Sequence, residues 1–438
     1  MAAKNLGASG VLYTDRRDFY IDPQVVKELW TDVAPFTTVI SNKETRQVND
    51  PLFKMFEHRN PWVKQEFSNA GDTQTLAVAG TESAVIAIDG IVGFGATPVV
   101  DTHMEGLICE IWNEAKTLKK ANVLITDGTS SDTQILVKVL TTVSGSDYTL
   151  VDNDVFIVIG NAHGEGENAP DAWSDELQVV FNSCQIFKTP LEITGTLLQA
   201  ALRGESSELA RLREMKNQEH KMQKEKAFLF GTRVGGTDLG AAQGDTFADG
   251  GRTGALGGLV RTTYGILSAI EEYGASSGDD QSQFTVSEAS YGYSNFVDDM
   301  EKIFQYVPTS GVKRAFCGAG ALGYWSKIAG SSGMAGNSGW TVNMSDMKRD
   351  TLGFNYKVLE TPHGILQLIP TPALRGPHNK QMLIVDEDNL FHAQYRSPMF
   401  QANIKSDNGY DGVKDQYFSD EGVGVSLIES HNLMSITA

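Results

Sequence analysis

The chain has 438 residues, of which 55 are acidic and 36 basic, so its formal net charge is −19 at neutral pH. This length is enough for about three domains with cores of their own. The negative charge argues against a protein that wraps nucleic acid by neutralising its phosphates, although it does not argue against one that encloses nucleic acid.

Cysteine content and hydropathy indicate the cellular compartment of the protein. The three cysteines, Cys109, Cys184 and Cys317, are odd in number and far apart in apolar or strand-like segments, so we expect buried, reduced thiols rather than disulfides. The N-terminal residues contain no apolar run suited to a signal peptide, and the most apolar stretch, 84–100, is interrupted by aspartate, glycine and proline. We therefore expect a soluble, cytoplasmic product that spans no membrane.

The first part of the chain shows little regular pattern. Residues 1–50 contain one candidate helix, 23–33, with Asp22 as its cap and Pro23 in its first turn. We interpret this region as an N-terminal arm, and the alternative is a segment that packs on its own domain.

Residues 51–98 are polar and interrupted by glycine, with weak strand signals around Trp62, Phe67 and Thr75. They indicate an extended, polar piece with too few apolar residues to bury a hairpin, and such a hairpin would have to lie on a partner. An ordinary surface hairpin is the alternative. Trp62 and Phe67 are the candidate contact residues of this hairpin.

Residues 99–173 have a different composition. Short runs rich in Val, Ile, Leu and Thr at 122–126, 134–143, 148–151 and 154–159 are separated by the turn signals Asp127-Gly128 and Ser144-Gly145. They predict a compact all-β domain, a small barrel or sandwich.

Residues 174–257 contain the most distinctive element, a long charged helix predicted over 206–230. Ser206 or Ser207 can cap its first amides, and Gly231 can end it in the left-handed conformation. A narrow apolar stripe runs along one side, formed by Leu209, Leu212, Met215, Met222 and Leu229. Its basic side chains are candidates for subunit contacts, namely Arg211, Arg213, Lys216, Lys221 and Lys224. The alternative is a solvated helix of an ordinary globular fold.

Residues 258–396 alternate between helical and extended patterns, and residues 397–438 are strand-like. Helices are predicted at 264–273, 293–305 and 322–328, and strands at 312–317, 357–361 and 381–385. The whole chain is therefore of the α+β class.

Several short motifs, in this order and spacing, resemble the major capsid proteins of tailed bacteriophages, which have the Hong Kong 97-type fold. They are the strand 181–188, Thr194-Gly195-Thr196, the helix end 225–231, and the later segments 258–266, 351–354, 363–370, 382–386, 406–421 and 423–427. The resemblance covers most of the chain.

The resemblance implies a fold and a function. Residues 51–98 would be the extended hairpin loop of this fold, and the charged helix would be the spine of a peripheral domain spanning 174–257. Residues 258–396 would be an axial α/β domain, and residues 397–438 strands that return to the peripheral domain. The all-β region would be an insertion that decorates or reinforces the shell. Such a protein is structural, not an enzyme, and needs no cofactor or metal.

The resemblance also implies partners and a location. The chain would form homo-hexamers and pentamers of an icosahedral head that encloses double-stranded DNA without sequence-specific binding. Scaffolding, portal and cement proteins are possible partners. Assembly would take place in the host cytoplasm, and the product would be a virion.

Two alternatives remain open at this point. A nanocompartment shell of the encapsulin type has the same fold but encloses protein cargo. A dinucleotide-binding enzyme is the other, because Gly318-Ala319-Gly320-Ala321-Leu322-Gly323 matches the glycine fingerprint between a predicted strand and helix. The glycine-rich stretch 330–333 would end that helix too early for the usual unit. Phosphate-binding loops, helical histidine pairs and Cys-x-x-Cys are absent from the sequence.

Overall fold

The protein is represented by a computed structural model, which describes residues 34–58, 66–71, 73–76, 84–92, 104–131, 134–143, 145, 147–166, 177–199, 207–232, 261–276, 281–306, 311–330, 343–404 and 411–437. The chain divides into two compact units. We call Phe56–Gln178 the barrel unit, and Met1–Met55 together with Val179–Ala438 the main unit. The predicted helix 23–33 lies outside the described residues.

The main unit starts with helix α1 (Pro35–Lys43), followed by strand β1 (Thr45–Gln47) and strand β2 (Leu52–Glu57), with which the chain enters the barrel unit. The barrel unit then contributes β3 (Glu66–Asn69), β4 (Thr75–Leu76), β5 (Ala84–Val92), β6 (Leu107–Trp112), β7 (Lys119–Ser131), β8 (Gln134–Thr142), β9 (Tyr148–Thr149) and β10 (Val155–Asn161).

Six of these strands close into an antiparallel barrel in the order β10-β3-β5-β8-β7-β6, while β4 pairs with β9. Alternate side chains of β6, β7 and β8 are buried, as expected when one face of each strand lines a filled interior. Closure leaves these strands without free edges.

The barrel extends beyond the predicted insertion of 99–173. Strands β3 and β5 come from the region predicted as an extended hairpin loop, yet both pair within the barrel. Asp127-Gly128, predicted as a turn, lies inside β7, where shifts in register accommodate it. The prediction failed here because the partner of β3 is β10, about 90 residues further along the chain.

The rest of the main unit is a mixture of strands and helices. In chain order these are β11 (Gln178–Ser183), β12 (Gln185–Thr194), α2 (Gly195–Gln199), α3 (Glu208–Phe230), α4 (Ile266–Tyr273), β13 (Gln283–Ser287), α5 (Tyr293–Ile303), β14 (Val312–Cys317), α6 (Ala319–Gly330), β15 (Asn343–Met344), β16 (Lys348–Arg349), β17 (Asn355–Glu360), β18 (Ile365–Pro370), β19 (Gln381–Val385), β20 (Leu390–Gln401), β21 (Gly412–Val425) and β22 (Asn432–Thr437).

These strands form two main sheets. One has four strands in the order β1-β20-β21-β12, and we call it the long sheet. The other has the order β13-β22-β19-β14-β18-β17-β15, with β16 on β17, and we call it the central sheet. Strands β2 and β11 pair separately.

The central sheet is buried on both faces. On β14, Ala315 and Cys317 belong to the cluster around Trp325, whereas Phe316 between them belongs to a second cluster with Phe36 and Phe228. Burial on both sides explains why the second half of β14, Ala315-Phe316-Cys317, is entirely apolar. The first cluster packs against α5 and α6, and the second contains residues of α1, α3 and α4.

The cysteines and the C-terminal strands were also predicted from the sequence. The three cysteines are buried and free, as predicted. Strands β20 and β21 lie in the long sheet beside β12, but β22 lies in the central sheet between β13 and β19. The prediction that all of 397–438 returns to the peripheral domain was therefore wrong for the last strand.

None of the described helices is long and apolar enough to cross a membrane.

Candidate assembly surface

Helix α3 is the long charged helix expected from the sequence. Ser207 caps it, with Oγ accepting a hydrogen bond from the amide of Ala210 at 3.4 Å. Gly231 ends it, but with φ of −59° rather than in the predicted left-handed conformation. Glycine is needed there for space, because a Cβ atom would lie 2.4 Å from the carbonyl oxygens of Ala227 and Thr263.

Polar side chains attach α3 to the long sheet. The Arg213 guanidinium lies 2.7 Å from Asp415, and Lys224 Nζ lies 3.1 Å from Glu421. Asp415 and Glu421 lie on β21 and are fully buried. A helix of low mean hydropathy is thus fixed to the sheet by ion pairs at its beginning and near its end.

His220 lies between these two ion pairs. Its Nδ1 is 2.9 Å from Thr189 Oγ1 on β12, and its Nε2 is 3.0 Å from Ser419 Oγ on β21. Burial lowers the pKa of His220 to about 4, and the charge of Lys224 acts in the same direction. The imidazole is therefore neutral at pH 7.

Two consecutive carboxylates of β21 collect positive charge. Burial alone would raise the pKa of Glu421, but His392 and Lys224 outweigh burial and hold the pKa below its usual range. Asp420 lies 3.1 Å from Arg396 and 3.5 Å from Arg261. The three buried carboxylates of β21, Asp415, Asp420 and Glu421, are therefore paired with four basic side chains, namely Arg213, Lys224, Arg261 and Arg396.

Glu225 joins α3 to the N-terminal helix α1. Its carboxylate accepts hydrogen bonds from the amide of Phe36 at 3.0 Å, and from the amide and hydroxyl of Thr37 at 2.8 and 2.7 Å. These amides belong to the first turn of α1, where backbone donors lack partners within the helix. Burial raises the pKa of Glu225, while the three hydrogen bonds act in the opposite direction.

The far end of the long sheet leaves apolar side chains exposed. Leu197 and Leu198 on α2 are 40% and 37% exposed, and Met399 and Phe400 on β20 are 42% and 41% exposed. We call these four residues the distal patch. The amide of Gly195 at the start of α2 donates to the carbonyl of Asp411, just before β21, which places α2 at the same end as the β20–β21 pair.

The first three turns of α3 also bury no side chain completely. Leu209, Leu212 and Met215 of the predicted apolar stripe are only half-buried there. Apolar side chains that remain partly exposed at one end of a sheet and along one helix are candidates for contact with another subunit.

The basic residues of α3 that were predicted to contact another subunit fall into two groups in the structure. Arg213 and Lys224 make the intrachain ion pairs described above, which gives them a role in the subunit itself. Arg211 pairs with Glu208, and Lys216 with Glu219, within the helix. Lys221 is exposed. For these last three residues, contact with another subunit remains a prediction.

The two aromatic candidates differ. Phe67 is buried in the barrel interior, where it stacks on Phe156 with 5.0 Å between ring centroids. It pairs with Phe156 across β3 and β10, so it is a core residue and not a contact residue. Trp62 lies outside the described residues.

The glycine fingerprint has a structural explanation. The Asn379 side chain occupies the start of α6, where its Oδ1 accepts from the amide of Gly320 at 3.0 Å. A Cβ atom at Gly318 would lie 2.2 Å from the Asn379 carbonyl oxygen. The protein itself therefore fills the space that a pyrophosphate would need, and β14 also has an antiparallel neighbour, β19. The geometry contradicts the dinucleotide alternative.

Sequence reasoning missed Glu225 and the acidic residues of β21. A buried glutamate looks the same as its solvated neighbours in a charged helix, so the pattern of α3 carried no signal for it. The sequence Asp420-Glu421, directly before the polar-free end 422–425 of the strand, was the available signal for the buried carboxylates. Within the described residues, no three His, Cys, Asp or Glu side chains are placed to hold a metal ion.

The sequence profile of the SU10 major capsid protein family matches residues 25–431. No curated protein matches the chain significantly.

Several solved structures are similar at low identity. The capsid of a native GTA particle is 8% identical with a TM-score of 0.45, and 99% of each chain is covered. Microbacterium phage Oxtober96 is 9% identical with a TM-score of 0.42, and 97% of each chain is covered. The holo-SrpI encapsulin complex from Synechococcus elongatus PCC 7942 is 7% identical with a TM-score of 0.38, covering 61% of this chain and 77% of the other.

The family match extends from the N-terminal segment before α1 to the residue before β22, and it includes both units. It confirms the resemblance to tailed-phage capsid proteins of the Hong Kong 97 type that was found in the sequence. The chain belongs to the SU10 major capsid protein family, and its role is a structural one in a phage capsid.

Proposed function

We propose that copies of this chain assemble into homo-hexamers and pentamers of a closed icosahedral shell, and that the shell encloses double-stranded DNA. The observation that carries the proposal is the distal patch, together with the half-buried start of α3. Burial of this apolar surface by a neighbouring copy would add to the stability of the shell at about 25 cal/mol for each Å² removed from water.

The shell needs many modest contacts. One chain can occupy both five-fold and six-fold positions when its contacts are heterologous and each is weak enough to adjust. Arg211, Lys216 and Lys221 on α3 are candidates for such contacts. Scaffolding, portal and cement proteins are candidate partners of the shell, which we expect to be assembled in the host cytoplasm.

The experiment is the replacement of Phe400 by aspartate, with Phe400→Leu as the matched control. Phe400→Asp places a charge in the proposed contact, so we expect soluble capsomers or monomers in place of closed particles by sedimentation and electron microscopy. Phe400→Leu keeps an apolar side chain and should form shells. Normal shells from the aspartate variant would contradict this assignment of the distal patch.

The contents of the shell are tested separately. Particles purified from infected cells should protect double-stranded DNA from nuclease. Particles that contain protein cargo and no protected DNA would instead indicate a nanocompartment.

A further inference from the structure

The charge of the protein is concentrated in the barrel unit. Residues 56–178 contain 19 acidic and 6 basic residues, a net charge of −13 on 123 residues. The other 315 residues contain 36 acidic and 30 basic residues, a net charge of −6. Most of the excess negative charge is thus carried by less than a third of the chain.

Three of the four basic side chains that the structure describes in the barrel unit form ion pairs within it. Lys116 lies 2.6 Å from Glu66, Lys119 pairs with Glu110, and Lys120 lies 2.9 Å from Asp154. Cations that are held in this way recruit anionic partners poorly, so the field of the barrel favours a cationic partner.

One rim of the barrel also exposes aliphatic side chains. Leu118, Val143 and Val151 are 60%, 65% and 54% exposed. These exposures are large for aliphatic residues at one end of a barrel, and apolar side chains grouped in this way mark an interaction site more often than a random scatter does.

Lys120 shows that the three residues share one end of the barrel. Leu118 precedes Lys120 by two residues. The carbonyl of Lys120 accepts a hydrogen bond from the amide of Val143 at 2.9 Å. Its Nζ contacts Asp154, whose other carboxylate oxygen accepts from the amide of Val151 at 2.9 Å. We call Leu118, Val143 and Val151 the barrel rim.

Exposed carboxylates surround the rim. Glu114 lies in the turn that leads to Leu118, and Asp147 and Asp152 flank the segment that contains Val151. The surface thus combines separate apolar contacts with negative charge.

We infer that the barrel rim is a docking surface for a basic accessory polypeptide, one that presents aliphatic side chains between lysines or arginines. Charge complementarity selects this occupant. A second barrel would bring like charges together, and double-stranded DNA would be repelled by the same field. The inference goes beyond shell formation and does not depend on it.

The test uses the full-length chain and two synthetic peptides of equal length and charge. One alternates lysine with leucine, and the other has serine in place of each leucine. Binding is measured by fluorescence anisotropy over a series of salt concentrations. We expect the leucine peptide to bind about tenfold more tightly than the serine peptide, and both affinities to fall with salt.

Variants locate the binding. The triple variant Leu118→Ser, Val143→Ser, Val151→Ser should reduce the preference for leucine to less than about twofold. Ile159→Ser is the matched control, because Ile159 is 53% exposed on β10 of the same barrel but is not part of the rim. It should leave the preference unchanged. A variant with Glu114→Gln, Asp147→Asn and Asp152→Asn should weaken both peptides alike.

Several outcomes would overturn the inference. Equal binding of the two peptides, or the same loss from Ile159→Ser as from the triple variant, would show that the rim is not a specific surface. Sedimentation of the chain without peptide tests whether a second copy of the chain occupies the rim. A change in oligomeric state caused by the triple variant would identify the rim as a contact between subunits. Tighter binding of a DNA duplex than of the leucine peptide would also contradict it. Circular dichroism verifies that each variant is folded, and Val143→Ser alone replaces the triple variant if the latter unfolds.

Discussion

Glu225 in the last two turns of α3 holds Thr37 in the first turn of α1 by both its backbone amide and its hydroxyl, although 188 residues separate the two in the chain. The same carboxylate accepts the amide of Phe36. One buried glutamate therefore caps α1 from outside and fixes the point at which the N-terminal segment leaves the core.

Replacement of Glu225 by alanine should loosen α1. It leaves the amides of Phe36 and Thr37 buried without a partner, so we expect a loss of about 2–4 kcal/mol in the free energy of unfolding of the unassembled chain. Hydrogen exchange should become faster in 36–43. Thr37→Val is the control, since it keeps both amide bonds and should cost only about 1 kcal/mol. Unchanged protection of α1 in the alanine variant would show that Glu225 does not hold it.

The buried ion pair on β21 should matter far more than an exposed pair on the same helix. Lys224→Met leaves the fully buried carboxylate of Glu421 with less compensation, and we expect a loss of about 3–5 kcal/mol. Lys216→Met removes a partly exposed pair with Glu219 and should cost less than about 0.5 kcal/mol.

Denaturant unfolding measures both variants. The double variant Lys224→Met, Glu421→Gln should recover part of the loss, because it no longer buries an unpaired charge. Similar losses for Lys224→Met and Lys216→Met would refute the distinction between the two pairs.

His220 should make stability depend on pH. Its pKa falls from 6.5 to about 4 on folding, so between these values the unfolded chain binds the proton more tightly and stability decreases as the pH is lowered. The shift corresponds to a contribution of about 3 kcal/mol that is fully present above pH 6.5 and lost toward pH 4.

The pH dependence of His220→Gln isolates this contribution. The free energy of unfolding of the wild-type chain should fall more steeply than that of the variant over this range. Parallel curves for the two proteins would mean that His220 titrates normally in the folded state.

The two outer glycines of the fingerprint should respond in opposite directions. A Cβ atom at Gly318 would collide with the backbone of Asn379, whereas nothing lies within 4 Å of one at Gly323. We expect Gly318→Ala to destabilise the chain by about 1–3 kcal/mol, and Gly323→Ala, inside α6, to stabilise it by about 0.5–1 kcal/mol.

Thermal unfolding of both variants checks this pair of predictions. A nicotinamide dinucleotide added to the wild-type protein should leave the melting temperature unchanged. A tolerated alanine at Gly318, or a clear rise in melting temperature with dinucleotide, would reopen the possibility of a ligand site at the start of α6.

Local patterns predicted three strands of the central sheet, β14, β17 and β19, and the helices α4, α5 and α6. Strand β14 was predicted at its observed bounds, and α5 began at the predicted residue, Tyr293. Strand β14 ends in three consecutive apolar residues, and α5 places Phe296, Met300 and Ile303 on one face. The sequence displays both patterns directly.

Pairings between distant segments were beyond such patterns. Strand β3 has only four residues, and its partner β10 follows about 90 residues later, so the barrel was predicted too short at its N-terminal side. The charges of α3 were assigned to subunit contacts because a charged helix shows no sign of partners such as Asp415, 202 residues away. In both cases the deciding interaction is non-local.

The most direct test of the whole account is electron microscopy of the chain expressed alone, combined with sedimentation at several protein and salt concentrations. We expect closed shells, or rings and sheets of capsomers, built with five-fold and six-fold symmetry. A folded chain that stays monomeric under every condition would contradict the account, because the exposed apolar surface of the long sheet would then have no role in assembly.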